Sequence, residues 1–476
     1  MTMRGLRLVL HAAMLLALSF SLSSSGVVPV FMSQVHAAPL FSVTLIVANT
    51  YTDDTPPGNT VRIEYAKKIT RNMVALGIDA KLVQLKWSDL EKRLFFLSPV
   101  SQGALYATGG YDIGFIGWGY SNITKAGITN TLPSIDGRSA NWAPNGNNYA
   151  LYNNAEVNSL IDQFNSASNE TEEVSLLNQI QAIVFHDKPY NYIYELKSDN
   201  DTNGYGWQEQ AFNMKHPVFG TGVATPLGQS NPSQSAEAAR HVRTAISHLI
   251  PRDKIANSVD AHPLATWVGP NWGAWYNQTF APDTYDMNAA ATELRAAGYQ
   301  VPSFVAEIPL VAGWNLISLP VISSTSAITT VLAQLPTGEV TVVWSYAGTG
   351  STRSWMYYKP GTGGSLTTMV DGNGYWIYVT SADTLYVPGY VIAPASVPPT
   401  YSLVLGWNLV GFKPQPSIAN ETVHNYLATI SGKYDPNNVW ILDNSNGNWI
   451  RATDSTWIRP GEAMWVLMVT SATLRP

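Results

Sequence analysis

The hydrophobic pattern of the first part of the chain predicts alternating strands and helices. Val43 to Asn49 is a continuous apolar and β-branched run, which is typical of a buried strand. Apolar residues then recur at helical spacing between Arg62 and Leu76, and Gly77 ends that helix. Ala80 to Leu85 is a second strand. This strand–helix–strand order predicts an α/β unit with a parallel or mixed sheet.

Further elements extend this unit to about residue 302. The pattern predicts strands at Asp112–Ile116 and Tyr190–Glu195, and helices at Glu156–Phe164, Glu172–Phe185, Ser235–Ile250 and Met287–Ala297. The first of these strands runs into Gly117-Trp118-Gly119, which places Trp118 at a carboxyl end, where open α/β sheets bind ligands. We divide this part into a lobe at 38–200 and a second segment at 201–302.

An internal repeat of short predicted strands begins near Ser303. Gly313-Trp314-Asn315-Leu316-Ile317 returns as Gly406-Trp407-Asn408-Leu409-Val410, and four more landmarks follow in the same order. We therefore predict two all-β copies, at 303–392 and 400–476, joined by the proline-rich linker Pro394–Pro399. Four tryptophans in the apolar strands of the copies are predicted to be mostly buried, namely Trp314, Trp344, Trp407 and Trp440.

The N-terminus has the pattern of a secretion signal. Arg4 and Arg7 precede the apolar run Leu8–Phe20, and Val35-His36-Ala37 offers small residues at cleavage spacing. The apolar run is shorter than the roughly 20 residues that a membrane span needs, which argues against the alternative of an anchor. We expect a signal peptide at 1–37, cleaved near Ala37, and an extracytoplasmic protein.

Composition narrows the function further. Only 13% of the residues are charged, the net charge is −6, and no basic patch stands out, so nucleic acid is not an expected partner. The absence of cysteine excludes disulfides, thiol catalysis and a lipid-modified cysteine anchor. Neither a zinc-binding His-x-x-x-His pair nor a Gly-x-Ser-x-Gly elbow occurs. We therefore expect no enzymatic activity, no cofactor and no metal site.

Several separate segments resemble the extracytoplasmic solute-binding proteins of ABC importers, in the family that binds peptides, nickel and oligosaccharides. They are Gly77–Leu82, Tyr111–Trp118, Asn148–Val157, Lys188–Ile193, Asn213–Gly228, Ala238–Asp253 and Tyr285–Tyr299. In that family the segment like Ala238–Asp253 normally precedes the one like Tyr111–Trp118, so the chain resembles a partial or rearranged member. The resemblance implies capture of a small-molecule or peptide ligand for an ABC permease, by closure of lobes and without catalysis.

The β copies favour an alternative function. They resemble the "GWNLISLP" repeats of secreted and cell-surface prokaryotic proteins, which implies a structural or adhesive protein that engages envelope glycan. Trp355, Trp449 and Trp457 lie among polar residues, where they are candidates for stacking on sugar rings.

Candidate ligand-binding residues are Trp118, Tyr120, Trp272 and Trp275, because aromatic faces suit sugar rings or apolar side chains, and the resemblance adds Ser121. In peptide-binding members an aspartate three residues after the tryptophan holds the peptide's ammonium group, and Ser121 stands at that position here. A neutral ligand, such as a short oligosaccharide, is therefore expected to bind better than a free peptide. The alternative for the aromatic residues is packing between lobe and loop, which the sequence favours for Trp272 and Trp275.

Overall fold

The structure is a computed structural model, and it describes residues 39–49, 60–95, 102–120, 124–197, 205–347, 352–391, 399–414 and 420–476. The predicted signal peptide at 1–37, the candidate residue Ser121 and residues 394–398 of the predicted linker lie outside the described residues.

The front half consists of one mixed sheet covered by helices. Its strands are β1 (Ser42–Ala48), β2 (Asp79–Leu85), β3 (Ile113–Tyr120), β4 (Tyr190–Leu196), β5 (Tyr205–Phe212) and β6 (Ala261–Pro263). Its helices are α1 (Thr60–Ala75), α2 (Trp87–Leu94), α3 (Lys125–Thr131), α4 (Ala155–Ser166), α5 (Glu170–Asp187), α6 (Pro226–Ser230), α7 (Ser235–His248), α8 (Arg252–Ser258) and α9 (Met287–Ala296).

The sheet has the order β2-β1-β3-β5-β4-β6. β1 runs parallel to β2 and β3, whereas β5 is antiparallel to both β3 and β4. The strands β1 to β4 therefore point the same way, and their carboxyl ends lie at one edge of the sheet. This mixed sheet fits the predicted α/β front half. The pattern analysis did not predict β5 or helix α2.

Two hydrophobic cores cover the two faces of this sheet. Side chains of a strand alternate between faces, and along β1 Leu45 and Val47 join one core while Ile46 and Ala48 join the other. The first core contains residues of α1, α7 and α9, and the second contains residues of α4 and α5. Burial on both faces explains why β1 reads as an unbroken apolar run instead of an alternating one.

The remainder of the chain is mostly antiparallel β-structure, which is compatible with the predicted all-β module. Its strands are β7 (Phe304–Leu310), β8 (Gly313–Ser318), β9 (Ile322–Ser323), β10 (Val340–Ala347), β11 (Ser354–Tyr358), β12 (Gly374–Val379), β13 (Asp383–Tyr390), β14 (Tyr401–Leu403), β15 (Gly406–Gly411), β16 (Glu421–Thr422), β17 (Tyr434–Asp443), β18 (Asn448–Arg451), β19 (Trp457–Ile458), β20 (Ala463–Met468) and β21 (Ala472–Leu474). Two short helices, α10 (Ile328–Val331) and α11 (Val423–Tyr426), interrupt it. The boundary near Ser303, between α9 and β7, stays a prediction.

The two copies have corresponding sheets. The order β11-β10-β12-β8 in the first is matched by β18-β17-β20-β15 in the second. One asparagine holds the same turn in each copy: Asn315 accepts from the Val311 N–H at 2.9 Å, and Asn408 accepts from the Val404 N–H at 3.0 Å. This bond explains the asparagine of the repeated motif, because the side chain satisfies backbone groups that the adjacent strand pairing leaves open.

The two four-stranded sheets pack against each other through reciprocal aromatic contacts. The ring of Trp376 lies 5.8 Å from that of Trp449, and the ring of Trp465, at the corresponding position of the second copy, lies 5.9 Å from that of Trp355. The backbone contacts are reciprocal too: Ser318 N–H donates to Gly461 at 2.8 Å, and Gly411 N–H donates to Gly372 at 2.9 Å. The copies are thus related by an approximate two-fold arrangement.

This arrangement corrects one expectation about the repeat. The four strand tryptophans predicted to be mostly buried are only half-buried, namely Trp314, Trp344, Trp407 and Trp440. The reason is their direction. Trp314 packs on Trp376 and Tyr378, on the face opposite the hydrophobic core of its own copy, and so lies beside the contact between the copies.

Candidate functional site

Trp118 lies near the carboxyl end of β3, at the edge where four strands of the front sheet end. Its indole is half-buried and packs against two aromatic rings, with 5.8 Å between its centroid and that of Phe95 and 6.2 Å to that of Tyr149. The remaining exposed part of an indole offers an apolar face to a ligand.

A buried carboxylate holds this indole in place. Glu209 of β5 is 2% exposed, and its Oε1 accepts from the Trp118 Nε1–H at 2.9 Å and from the Tyr149 hydroxyl. Its Oε2 accepts from the Trp207 Nε1–H at 2.8 Å. Trp118 of β3 and Trp207 of β5 are direct partners in the β3–β5 pairing. Glu209 of β5 therefore binds one indole from each strand. Three donors on one carboxylate fix the orientation of the Trp118 ring.

Burial determines the electrostatics of this cluster. Desolvation raises the pKa of Glu209, while hydrogen bonds from Tyr149, Trp207 and Trp118 act in the opposite direction. Burial, and secondarily the neighbouring Glu209, raises the pKa of Tyr149 well above its ordinary value, so this phenol stays a donor. The carboxylate beside Trp118 is therefore committed to holding aromatic side chains and does not face an incoming ligand.

The other face of β3 at this edge carries a second polar contact. Arg62 of α1 is 1% exposed, and its Nε–H donates to Gln208 Oε1 at 2.8 Å. Both side chains cross over Gly117, where an added Cβ would lie 2.0 Å from Gln208 Nε2 and 2.7 Å from Arg62 Nη2. Glycine at position 117 leaves room for these two side chains, and an added β-carbon would force them to shift.

The structure separates the other predicted ligand-binding residues. The backbone of Tyr120 ends β3, whereas its side chain and all of Ser121 lie outside what the structure describes. Trp272 and Trp275 are 1% and 7% exposed and belong to the second core. Trp275 packs on Phe164 of α4, with 6.2 Å between ring centroids. In this conformation both tryptophans are packing residues, as the alternative interpretation of the sequence favoured.

Sequence reasoning did not identify Glu209 or Tyr149. The segment Trp207-Gln208-Glu209-Gln210 contained a signal for this site. Its three consecutive polar residues break the alternation expected of a strand, and yet they lie in the middle of β5. Gln208, Glu209 and Gln210 are all buried. Buried polar side chains need partners, and this requirement marks the strand as part of a polar cluster.

Two further properties concern the described part of the chain. Among those residues, no helix is both long and apolar enough to cross a membrane. Over the same ranges, no group of three or more histidine, cysteine, aspartate or glutamate side chains is arranged to hold a metal ion.

Comparison with known proteins gives one match. Residues 155–315 match the family model described as bacterial extracellular solute-binding proteins, family 5 Middle. No curated protein and no solved structure matches the chain. The match covers about a third of the chain, from α4 into β8, and supports a family 5 solute-binding protein with an extracytoplasmic role in ABC import. The similar segments Gly77–Leu82 and Tyr111–Trp118 lie before residue 155, outside the match. The match therefore does not test the rearranged order of the segments, which stays a prediction.

Proposed function

We propose that this protein captures a small neutral polar solute, such as a short oligosaccharide, outside the cytoplasm for an ABC importer. The single observation that carries the choice of ligand is the hydrogen bonding of the buried Glu209 carboxylate. This carboxylate lies at Trp118 but already accepts three hydrogen bonds within the protein. It is therefore not free to pair with the ammonium group of a peptide.

Trp118 is the central contact in this proposal. A sugar ring has an apolar face that suits the exposed part of the indole, and its hydroxyl groups bind to polar groups around the ring. Ser121, at the position where peptide-binding members of the similar family carry an aspartate, is our candidate for one such partner, and each hydrogen bond contributes about 1 kcal/mol net. The rigid hold on the indole supports binding because little orientational freedom is then lost when the ligand arrives.

Titration calorimetry with trisaccharides and free tripeptides tests this function. We expect the wild-type protein to bind a trisaccharide, and Trp118→Ala to weaken it at least about tenfold, equivalent to about 1.4 kcal/mol. Trp457→Ala, at the 61% exposed sugar-stacking candidate of the second β copy, should leave the affinity unchanged if Trp118 is the contact. Ser121→Asp should improve tripeptide binding and leave trisaccharide binding nearly unchanged. Tight wild-type binding of a tripeptide without sugar binding would contradict the proposal.

A second candidate function is adhesion through the β copies. The exposure of Trp457 at 61% and Ile450 at 43%, on two strands of the second copy that are consecutive in sequence, favours it. If Trp457→Ala abolishes glycan binding and Trp118→Ala does not, the β copies carry the recognition and the front half is a scaffold.

A further inference from the structure

A cavity of about 560 Å³ lies between the front half and the first β copy. One wall comes from α1 and α8, and the opposite wall comes from the start of β13. Pockets that bind small molecules have volumes of about 300–1,000 Å³ and are mostly apolar with a few polar groups. This cavity has that size and that character, and it is separate from the aromatic cluster around Trp118.

Polar contacts hold the two walls together. Lys68 of α1 pairs with Asp383 of β13 at 2.5 Å, and the two side chains are 24% and 14% exposed. The Tyr285 and Tyr386 hydroxyl groups are hydrogen-bonded to each other. The Lys68 ammonium also lies 5.5 Å from the centroid of the Tyr386 ring. These contacts preform the cavity, because each of them joins the front half to the β copy.

The cavity offers aromatic surface to a ligand. Tyr65, Tyr285 and Tyr386 all line it, together with aliphatic side chains such as Val61 and Ile255. Tyr65 and Tyr386 are each 3% exposed, so little of their rings is accessible. The half-buried Tyr285, held edge-on against Tyr386 with 6.2 Å between ring centroids, presents most of the aromatic surface. This ring and its aliphatic neighbours favour a flat apolar ring in the ligand, through edge or offset stacking.

The charged side chains around the cavity favour an anionic ligand over a cationic one. Asp383 is neutralised by Lys68, and Glu64 pairs with Lys67 at 2.7 Å. Lys254 is exposed and lines the cavity. Glu307 of β7 lies outside the lining, and burial raises its pKa while Lys254 opposes that shift. A cationic ligand is disfavoured because the Lys68 ammonium already lies over Tyr386, whereas an anion gains from Lys254.

We propose that this cavity is a second ligand site, which binds a small aromatic anion with its ring against Tyr285 and the aliphatic side chains of the lining and its acidic group at Lys254. The site would make ligand occupancy depend on both the front half and the first β copy, since neither part encloses the cavity alone.

Fluorescence titration of the full chain with 8-anilino-1-naphthalenesulfonate tests the site. We expect saturable binding that 1-naphthoate displaces. Lys254→Met should weaken binding of both anions by about fivefold, the scale of an exposed ion pair, and should not change binding of neutral 1-naphthol. Lys92→Met is the matched control, because that lysine is exposed on α2, outside the cavity lining, and pairs with Asp89 on the surface. It should leave all three affinities within about twofold.

Ala382→Trp gives an independent test that does not depend on charge. Ala382 lines the cavity and is exposed, so a larger side chain fills the space without entering a core. We expect this variant to lose saturable binding of the anions and of 1-naphthol, whereas Trp118→Ala should keep it. Absence of saturable binding by the wild type, equal effects of Lys254→Met and Lys92→Met, or unchanged binding by Ala382→Trp would each overturn the site. None of these outcomes bears on sugar binding at Trp118, which is measured separately.

Discussion

At the scale of single residues, the most consequential side chain is Glu209, which the hydrophobic pattern did not reveal. It receives one hydrogen bond from Trp118, which is 91 positions away in sequence. A contact over this separation depends on strand order, and local pattern carries no information about it. The sequence did predict that Trp118 lies at the carboxyl end of a strand, because that position follows from local periodicity alone.

Replacing Glu209 with glutamine should destabilise the protein by about 1–3 kcal/mol. The amide has one acceptor oxygen, so it cannot accept from Trp118, Tyr149 and Trp207 together, and one buried donor loses its partner. Denaturant unfolding measures the loss, and near-ultraviolet circular dichroism reports the released indole. Unchanged stability with an unchanged spectrum would show that this carboxylate does not hold Trp118.

His216 should make the protein acid-sensitive. Burial lowers its pKa from 6.5 to about 4, although the neighbouring Asp112 acts in the opposite direction. Its Nδ1 accepts from the Val218 N–H at 3.1 Å, which requires that nitrogen to be unprotonated. As the pH falls below about 6.5 the unfolded chain binds a proton first, so stability is lost progressively down to about pH 4.

The expected loss from this histidine is roughly 3 kcal/mol over that interval. It can be measured by comparing unfolding free energies of the wild type and His216→Asn at several pH values. The asparagine Oδ1 keeps an acceptor near the position of Nδ1 for the Val218 N–H but does not titrate. The wild-type curve should therefore fall more steeply than that of the variant towards pH 4, and parallel curves would contradict the assignment.

At the scale of elements, the predicted strands and helices of the front half agree well with the structure where periodicity is strong. β1, α1 and β2 differ from their predicted bounds by only one or two residues at most ends. The strand β5 was missed because Gln208, Glu209 and Gln210 obscure its apolar pattern. Burial of Trp272 and Trp275 also depends on non-local contacts: Gln181 of α5 donates to the Trp275 carbonyl from 94 positions away.

The strand β3 offers a matched test of its packing. Gly117→Ala should cost about 1–3 kcal/mol, because the new methyl group meets Gln208 and Arg62 at distances that a real β-carbon does not adopt. Gly114→Ala, in the same strand, is the control. Its nearest atom is a terminal methyl carbon of Leu94 at 2.9 Å, which moves more easily. Thermal unfolding of both variants should rank Gly117→Ala as the less stable, and the reverse order would argue against the Arg62–Gln208 contact.

At the scale of the whole molecule, sequence identified the repeat but not how the two copies meet. Alternation along a strand shows that two faces differ, but it does not show which face a second sheet covers. Here the second sheet belongs to the other copy, so the half-buried tryptophans on that face could be assigned only from the structure. The front half is likewise joined to the first copy by Lys68–Asp383, a pair 315 positions apart.

The reciprocal packing of the two copies predicts equal effects at corresponding positions. Trp376 and Trp465 are each 6% exposed. Trp376 packs against Trp449 of the second copy at an interplanar angle of 62°, and Trp465 packs against Trp355 of the first copy at 63°. Trp376→Ala and Trp465→Ala should each cost about 3–5 kcal/mol, because truncation leaves a cavity in the contact. Trp457→Ala, on an exposed side chain, should change stability by less than about 0.5 kcal/mol. Denaturant unfolding of the three variants measures these differences. A large effect at one of the paired tryptophans and a negligible effect at the other would show that the two copies do not share one reciprocal contact.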